Sequence, residues 1–345
     1  MSQNPYMLVF GQEPMQKISR YEQKEMVLNA FKAERGQPVF MITGVRGIGK
    51  TVFMTEIADQ FRNEKDWIVT ELNPEVDMRV QLASQLSSED QLARIFRAAK
   101  INLSFFGFGL EVSDVTPVTD IEDALKKMLS ALQKKNKKVL VNIDEVTNTT
   151  RMHEFAAAFQ ILLRLKLPIY LLMTGLYENI RGLQDENSLT FLYRTPRIEL
   201  QPLNLSSIAY NYKVTFHIPE TEAREMADMT NGYSFAFQAL GWLRWQYPDQ
   251  KEYVYVQYRQ ILNEYVYEKV WSELSRKDRT VAYAIAKSET GKIDEIRQLL
   301  NMTSSQFNPY RKRLIDKGIL DGRERGYVKF VLPLFAEYVK EEMSE

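Results

Sequence analysis

The chain has no cysteine, only two histidines (His153 and His217), and no net charge, with 45 basic and 45 acidic side chains among 345 residues. The absence of thiols excludes disulfides and thiolate zinc sites, and it fits a reducing, cytoplasmic setting. Two histidines leave little material for a histidine metal centre or a catalytic triad. Balanced charge removes any global field that would draw the chain to nucleic acid or a membrane, so such binding needs a local patch. Long apolar runs are missing as well. A run such as "PIYLLM" (Pro168–Met173) falls far short of the ~20 residues of a spanning helix, and the opening "MSQNPYMLVFGQEP" lacks the basic start and apolar core of a signal peptide. The expectation is a soluble cytoplasmic protein with no membrane partner.

What remains is ordinary globular material, 45% hydrophobic and 26% charged, in a chain long enough for two or three domains. Solid apolar runs at residues 39–43, 67–72, 139–144 and 169–174 suit parallel strands buried on both faces. Helical patterns lie between them, among them Ile121, Leu125, Met128, Leu129 and Leu132 after the N-cap candidate Asp120. Strand–helix alternation predicts a doubly wound α/β domain. The segment "INLSFFGFGLEVSD" (Ile101–Asp114) interrupts the rhythm, and its alternation around Gly107 and Gly109 predicts an inserted β-hairpin. Beyond residue 204 the pattern is helical, rich in aromatics whose helical spacing predicts packed core. From about 270 the order becomes helix, helix, helix, β-wing. The predicted organisation is an N-terminal segment (1–34), a P-loop core (35–204), a helical lid (205–269) and a winged helix (270–345).

The first strand runs into "GVRGIGKT", which satisfies G-x-x-x-x-G-K-[ST]. Gly44, Val45, Arg46, Gly47, Ile48 and Gly49 form a loop whose backbone N–H groups converge on one anion, aided by the dipole of the following helix. Lys50 is expected to reach the β- and γ-phosphates of ATP, and the Thr51 hydroxyl to ligate Mg²⁺. "VLVNIDEV" supplies the second half. Asp144 ends a buried strand, where ligands converge on an open α/β sheet, and is expected to hold Mg²⁺ through water. Glu145 follows where a carboxylate can polarise the attacking water. The adjacent acidic pair points to a hydrolase and away from a small-molecule kinase.

The order of these motifs resembles the AAA+ ATPases, in particular the origin-recognition and replication-initiator branch and related archaeal-type ATPases. The opening segment resembles the one that this family places over the adenine, with Ser19 at the usual glycine of its Gly-Arg-x-Glu pattern. By the same resemblance Thr174 stands at the polar sensor-1 position, and Asn73 at the residue that restrains the catalytic Glu. Arg194, in "YRTPRIELQPL", stands eight residues before Pro202, as does the arginine finger of clamp loaders, which implies a homo-oligomer. Tyr193 and Thr195 replace that motif's serine and cysteine. The lid departs from the pattern: Phe235 occupies the sensor-2 arginine position in "TNGYSFAFQALG", and Arg244 lies two to three turns further on.

The C-terminal order resembles the winged helix that ends many origin-recognition-type ATPases. Gly318 would stop the third helix, while Gly322 and Gly326 shape the wing. Arg311, Lys312 and Arg313 on the third helix, with Arg323 and Arg325 on the wing, are the candidate phosphate contacts to duplex DNA. Three consecutive residues fan over roughly 200° of a helix, however, so they do not share one groove. Asn308-Pro309 reads as an N-cap with proline at the first position, which would start this helix late. Two functions follow: an ATP-hydrolysing initiator- or loader-like protein that assembles on ATP and engages duplex DNA, or a slow nucleotide-gated switch whose winged helix docks a protein.

Overall fold

Five parallel strands are laid side by side in the order β2-β3-β4-β1-β5, over Val39–Thr43 (β1), Trp67–Leu72 (β2), Lys138–Ile143 (β3), Ile169–Gly175 (β4) and Arg197–Glu199 (β5). The computed structural model describes residues 3–9, 14–34, 36–186 and 189–344. By packing it divides into two units: residues 21–43 with 53–199, and residues 1–20 with 44–52 and 200–345. The second group unites the start of the chain, the glycine-rich loop and everything after β5.

In the first unit the strands are buried almost throughout, because helices cover both sheet faces. On one face Met41, Val141, Ile143, Leu171 and Met173 join a continuous apolar core with α3 (Met78–Ser88), α4 (Asp90–Ala98), α5 (Ile121–Gln133) and α6 (Thr150–Arg164). Asp120 caps α5 by accepting the Asp123 N–H, as its position predicts. On the opposite face Phe31 of α1 (Tyr21–Lys32), Phe61 of α2 (Lys50–Arg62), Phe40, Trp67 and Tyr170 form an aromatic cluster. The register pairs Ile42 with Thr174 and Asn142 with Leu172.

The expected hairpin at 101–114 does not form. Asn102 pins the segment as a loop by donating its side-chain amide to the carbonyls of Val112 and Val115 (3.2 and 2.8 Å). Only Leu103 N–H to Leu110 O (2.8 Å) spans it, around a 3₁₀ turn at Ser104–Phe106. The alternation in sequence reflects Ile101, Leu103 and Leu110 pointing into the core, not a ladder.

In the second unit the region expected to be the lid is all helical, with α9 (Leu205–Phe216), α10 (Glu220–Thr230), α11 (Ser234–Gln246) and α12 (Lys251–Leu262). The last of these continues through a π turn at Asn263–Tyr267 into α13 (Glu268–Ser272). The aromatics expected to be core divide: Tyr253 and Tyr255 are exposed, and Trp242, Trp245 and Tyr247 are half-buried. Tyr233, Phe235, Phe237 and Tyr258 are buried, and Tyr212 donates to the Phe237 carbonyl at 2.7 Å. Tyr6 packs on Tyr212, Phe216 and Phe237, anchoring the opening segment against the lid. Part of that segment, residues 10–13, lies outside the described residues.

The C-terminal helices are α14 (Arg276–Lys287), α15 (Ile293–Leu299) and α16 (Ser304–Asp316), followed by the antiparallel ribbon β6 (Leu320–Asp321) and β7 (Lys329–Phe330), and α17 (Phe335–Glu342). Helix α16 starts earlier than Asn308-Pro309 predicts. A capping box satisfies its first turn: Gln306 N–H donates to Thr303 Oγ1, and Thr303 N–H to the Gln306 side chain. Pro309 then sits inside the helix, where the freed carbonyl four residues back, on exposed Ser305, is left to water.

Candidate active site

The glycine-rich loop enters from β1 and leads into α2. Gly47 and Gly49 hold positive φ (+76° and +95°), which only glycine adopts without strain. Lys50 folds its ammonium over the loop, donating to the carbonyls of Gly44 and Val45 at 3.0 and 3.2 Å. Three further carbonyls are taken by the start of α11 and by the opening segment. Tyr233 Oη donates to Arg46 O (2.6 Å), Phe235 N–H to Gly47 O (3.1 Å), and Ser234 Oγ to Ile48 O (2.8 Å). Arg20 adds a second bond to Ile48 O (3.1 Å) and one to the Gln201 carbonyl. In a trans peptide the next N–H points opposite to its carbonyl. The N–H groups of Gly47 and Gly49 accordingly face away from these donors and give a hydrogen bond to no described residue. Two undonated amides beside a lysine and a threonine at a helix start fit an oligophosphate and its Mg²⁺.

Asp144 directly follows β3, and Thr174 stands near the end of the adjacent β4. The Thr174 hydroxyl, fully buried, donates to Asp144 Oδ1 and accepts the Glu145 N–H at 3.2 Å. Glu145 N–H also reaches Asp144 Oδ1 (3.0 Å), so three of the expected site residues form one knot. Glu145 itself sits in the left-handed region (φ +52°) with its side chain exposed. A non-glycine residue held there carries strain of about 1 kcal/mol.

Asn73 does not join them. Its side-chain oxygen accepts the Glu75 N–H (2.9 Å), closing an Asx turn after β2, and no bond links it to Glu145.

Among solved structures the chain resembles the Walker-type ATPase paby2304 of Pyrococcus abyssi, at 17% identity and a TM-score of 0.66 over 97% of this chain and 100% of that one. It also resembles the Aeropyrum pernix ORC2 protein in its ADPNP–ADP complexes, at 13% identity and a TM-score of 0.59 over 98% of both chains. The fold is that of the AAA+ ATPases. A family model described as a domain of unknown function (DUF8462) matches residues 264–339, the C-terminal helices and ribbon. No curated protein matches the chain in sequence. No helix among the described residues is long and apolar enough to cross a membrane.

Within this AAA+ fold Arg194 caps the short α8 (Thr190–Tyr193) with its side chain exposed, and no described acid pairs with it. The expected DNA contacts are a different matter. Arg311 donates to the Gly322 carbonyl (3.3 Å), Lys312 pairs with Asp316 (2.9 Å), and Arg323 forks onto Asp321. The Arg323 guanidinium holds the Asp321 carboxyl below its ordinary range, chiefly by direct hydrogen bonds. Arg313 meets Asp278 at 3.0 Å, and that carboxylate is only 2% exposed. Of the five candidates only Arg325 has a side chain with neither an ion pair nor a hydrogen bond to a described residue. Replacing Arg313 with alanine leaves the buried Asp278 carboxylate with only the Ser275 hydroxyl and should cost about 1–3 kcal/mol in urea unfolding. A residue serving DNA alone would leave the unfolding midpoint unchanged.

The loop also touches the C-terminal elements of its own unit. Arg46 pairs with Glu273 at 3.5 Å, and a Cβ built on Gly318, at the end of α16, would lie 3.1 Å from that of Val45.

Sequence reasoning named the loop and the acidic pair and placed Arg20 in the Gly-Arg-x-Glu pattern, but missed the contacts of Tyr233 and Ser234 with the loop. Tyr233 is legible in sequence only as a buried aromatic. The signal available was its place, one residue after Gly232 at the start of the helix where the arginine is lacking.

Proposed function

We propose that the protein binds ATP at Gly44–Thr51 and hydrolyses it slowly with Mg²⁺. The observation that carries this reading is the pair of undonated amides at Gly47 and Gly49 beside Lys50 and Thr51. Lys50 would neutralise the β- and γ-phosphates, while Thr51 and Asp144 would hold Mg²⁺, which supplies charge neutralisation on the phosphates. Glu145 would orient and deprotonate the attacking water, and Thr174 would keep the Asp144 carboxylate and the Glu145 backbone in place. The Aeropyrum pernix neighbour's nucleotide complexes support the ligand class. Arg194, exposed and unpaired, would act on ATP held by a second copy, so Arg194→Ala should lower activity in a manner that depends on protein concentration.

The output is the C-terminal helix–ribbon module, read as a winged helix. Four of its five candidate DNA-contacting cations are engaged internally, which favours the nucleotide-gated switch that docks a protein over strong duplex binding. Multi-turnover ATP hydrolysis measured with and without Mg²⁺, and with and without duplex DNA at 50 and 200 mM salt, tests both halves. The expected result is Mg²⁺-dependent turnover that DNA changes little. Strong, salt-sensitive stimulation by duplex would restore the initiator-like reading, and turnover without Mg²⁺ would remove the assignment of Thr51 and Asp144.

A further inference from the structure

The lid helix carries phenylalanine at the position expected to sense the third phosphate, and its first turn is spent on the loop instead. Tyr233, Ser234, the Phe235 N–H and Arg20 together occupy the carbonyls of Arg46, Gly47 and Ile48, three in succession. Tyr233 is fully buried, and burial holds its hydroxyl far above the ordinary tyrosine range, with the smaller pull of nearby Arg46 opposing. It is thus a committed donor. The fit around it is close: a Cβ on Gly47 would fall 2.1 Å from Tyr233 Oη. Phe235 contributes its backbone to the loop, while its ring lies stacked with Tyr265.

We propose that Tyr233, Ser234 and Arg20 are positioning residues that set the phosphate loop in its anion-binding shape, so that the lid serves di- and triphosphates alike. The inference deepens the ATP-binding reading and rests on it. Holding the Arg46 and Ile48 carbonyls toward the lid turns the Gly47 and Gly49 N–H groups to the opposite side, the side available to a phosphate, while the intervening Ile48 N–H is given to the Val45 carbonyl at 3.3 Å. These bonds go to the loop backbone and not to a phosphate oxygen, so their contribution is the same whether the third phosphate is present or not.

The test is titration of the full chain with fluorescent ATP and ADP analogues, together with kcat and KM for ATP. Tyr233→Phe removes one hydrogen bond and leaves the Arg46 carbonyl without it, so both nucleotides should bind about 5- to 10-fold more weakly. KM should rise by the same factor, with kcat nearly unchanged. Ser234→Ala should behave likewise, and Ser234→Thr, which keeps the hydroxyl, should restore binding. Binding unaffected by Tyr233→Phe and Ser234→Ala would overturn the inference. So would a loss confined to ATP, or a fall in kcat at constant KM. If the unmodified chain binds neither nucleotide, the ATP-binding reading itself fails, and that failure is read before any variant is made.

Discussion

Glu145→Gln is expected to retain ATP while losing about 10²- to 10⁴-fold in turnover, the size of a general-base contribution. The substitution is close to isosteric, and the contacts that fix residue 145 are made by its backbone. Its N–H is shared by Thr174 Oγ1 and Asp144 Oδ1, and its φ of +52° is imposed by that knot. The amide side chain therefore replaces the carboxylate in the same exposed position without disturbing Asp144. A multi-turnover phosphate-release assay gives the loss, and a nucleotide titration on the same preparation shows that binding survives. Equal turnover in variant and unmodified protein would mean that Glu145 is not the base.

Gly47→Ala is expected to disable the loop by a different route. The new Cβ would meet Tyr233 Oη at 2.1 Å and Phe235 Cβ at 3.2 Å, and the backbone is already at φ +76°. The conformational cost alone is about 1–2 kcal/mol, and displacing packed neighbours adds about 1–3 kcal/mol. Both costs fall where the lid helix begins, so nucleotide affinity should drop by roughly 100-fold, at 1.4 kcal/mol per factor of ten, and the melting temperature should fall by several degrees. Gly109→Ala is the matched control. It has a similar φ of +70°, but nothing lies within 4 Å of the added Cβ, so only the backbone cost applies and nucleotide binding should be unchanged. If the two alanine variants bind nucleotide equally well, the close approach of Tyr233 has no bearing on the loop.

Local pattern made the parallel sheet readable. The apolar runs at 39–43, 67–72, 139–144 and 169–174 became β1 to β4 within a residue or so, because strands buried on both faces must be apolar at every position. The Gly44–Thr51 motif and the Asp144-Glu145 pair were equally plain, since residues adjacent in sequence carry that chemistry. Where a single side chain chose between local structures, the pattern misled. Asn102 converted an apparent hairpin into a pinned loop, and the Thr303–Gln306 capping box started α16 ahead of the Asn-Pro pair.

By itself, then, the sequence determined a parallel-stranded P-loop domain with two adjacent acids directly after its third strand, and an aromatic-rich helical region after it. Tertiary structure alone decided which charges are paired and what the first turn of α11 bonds to. Arg313 is tied to Asp278, 35 positions away in sequence, and Tyr233 reaches Arg46 across 187 residues. Whether a cation is spent internally, or an aromatic hydroxyl is a committed donor, depends on what folding brings beside it and how much water it removes. Neither quantity is encoded in the spacing of neighbouring residues.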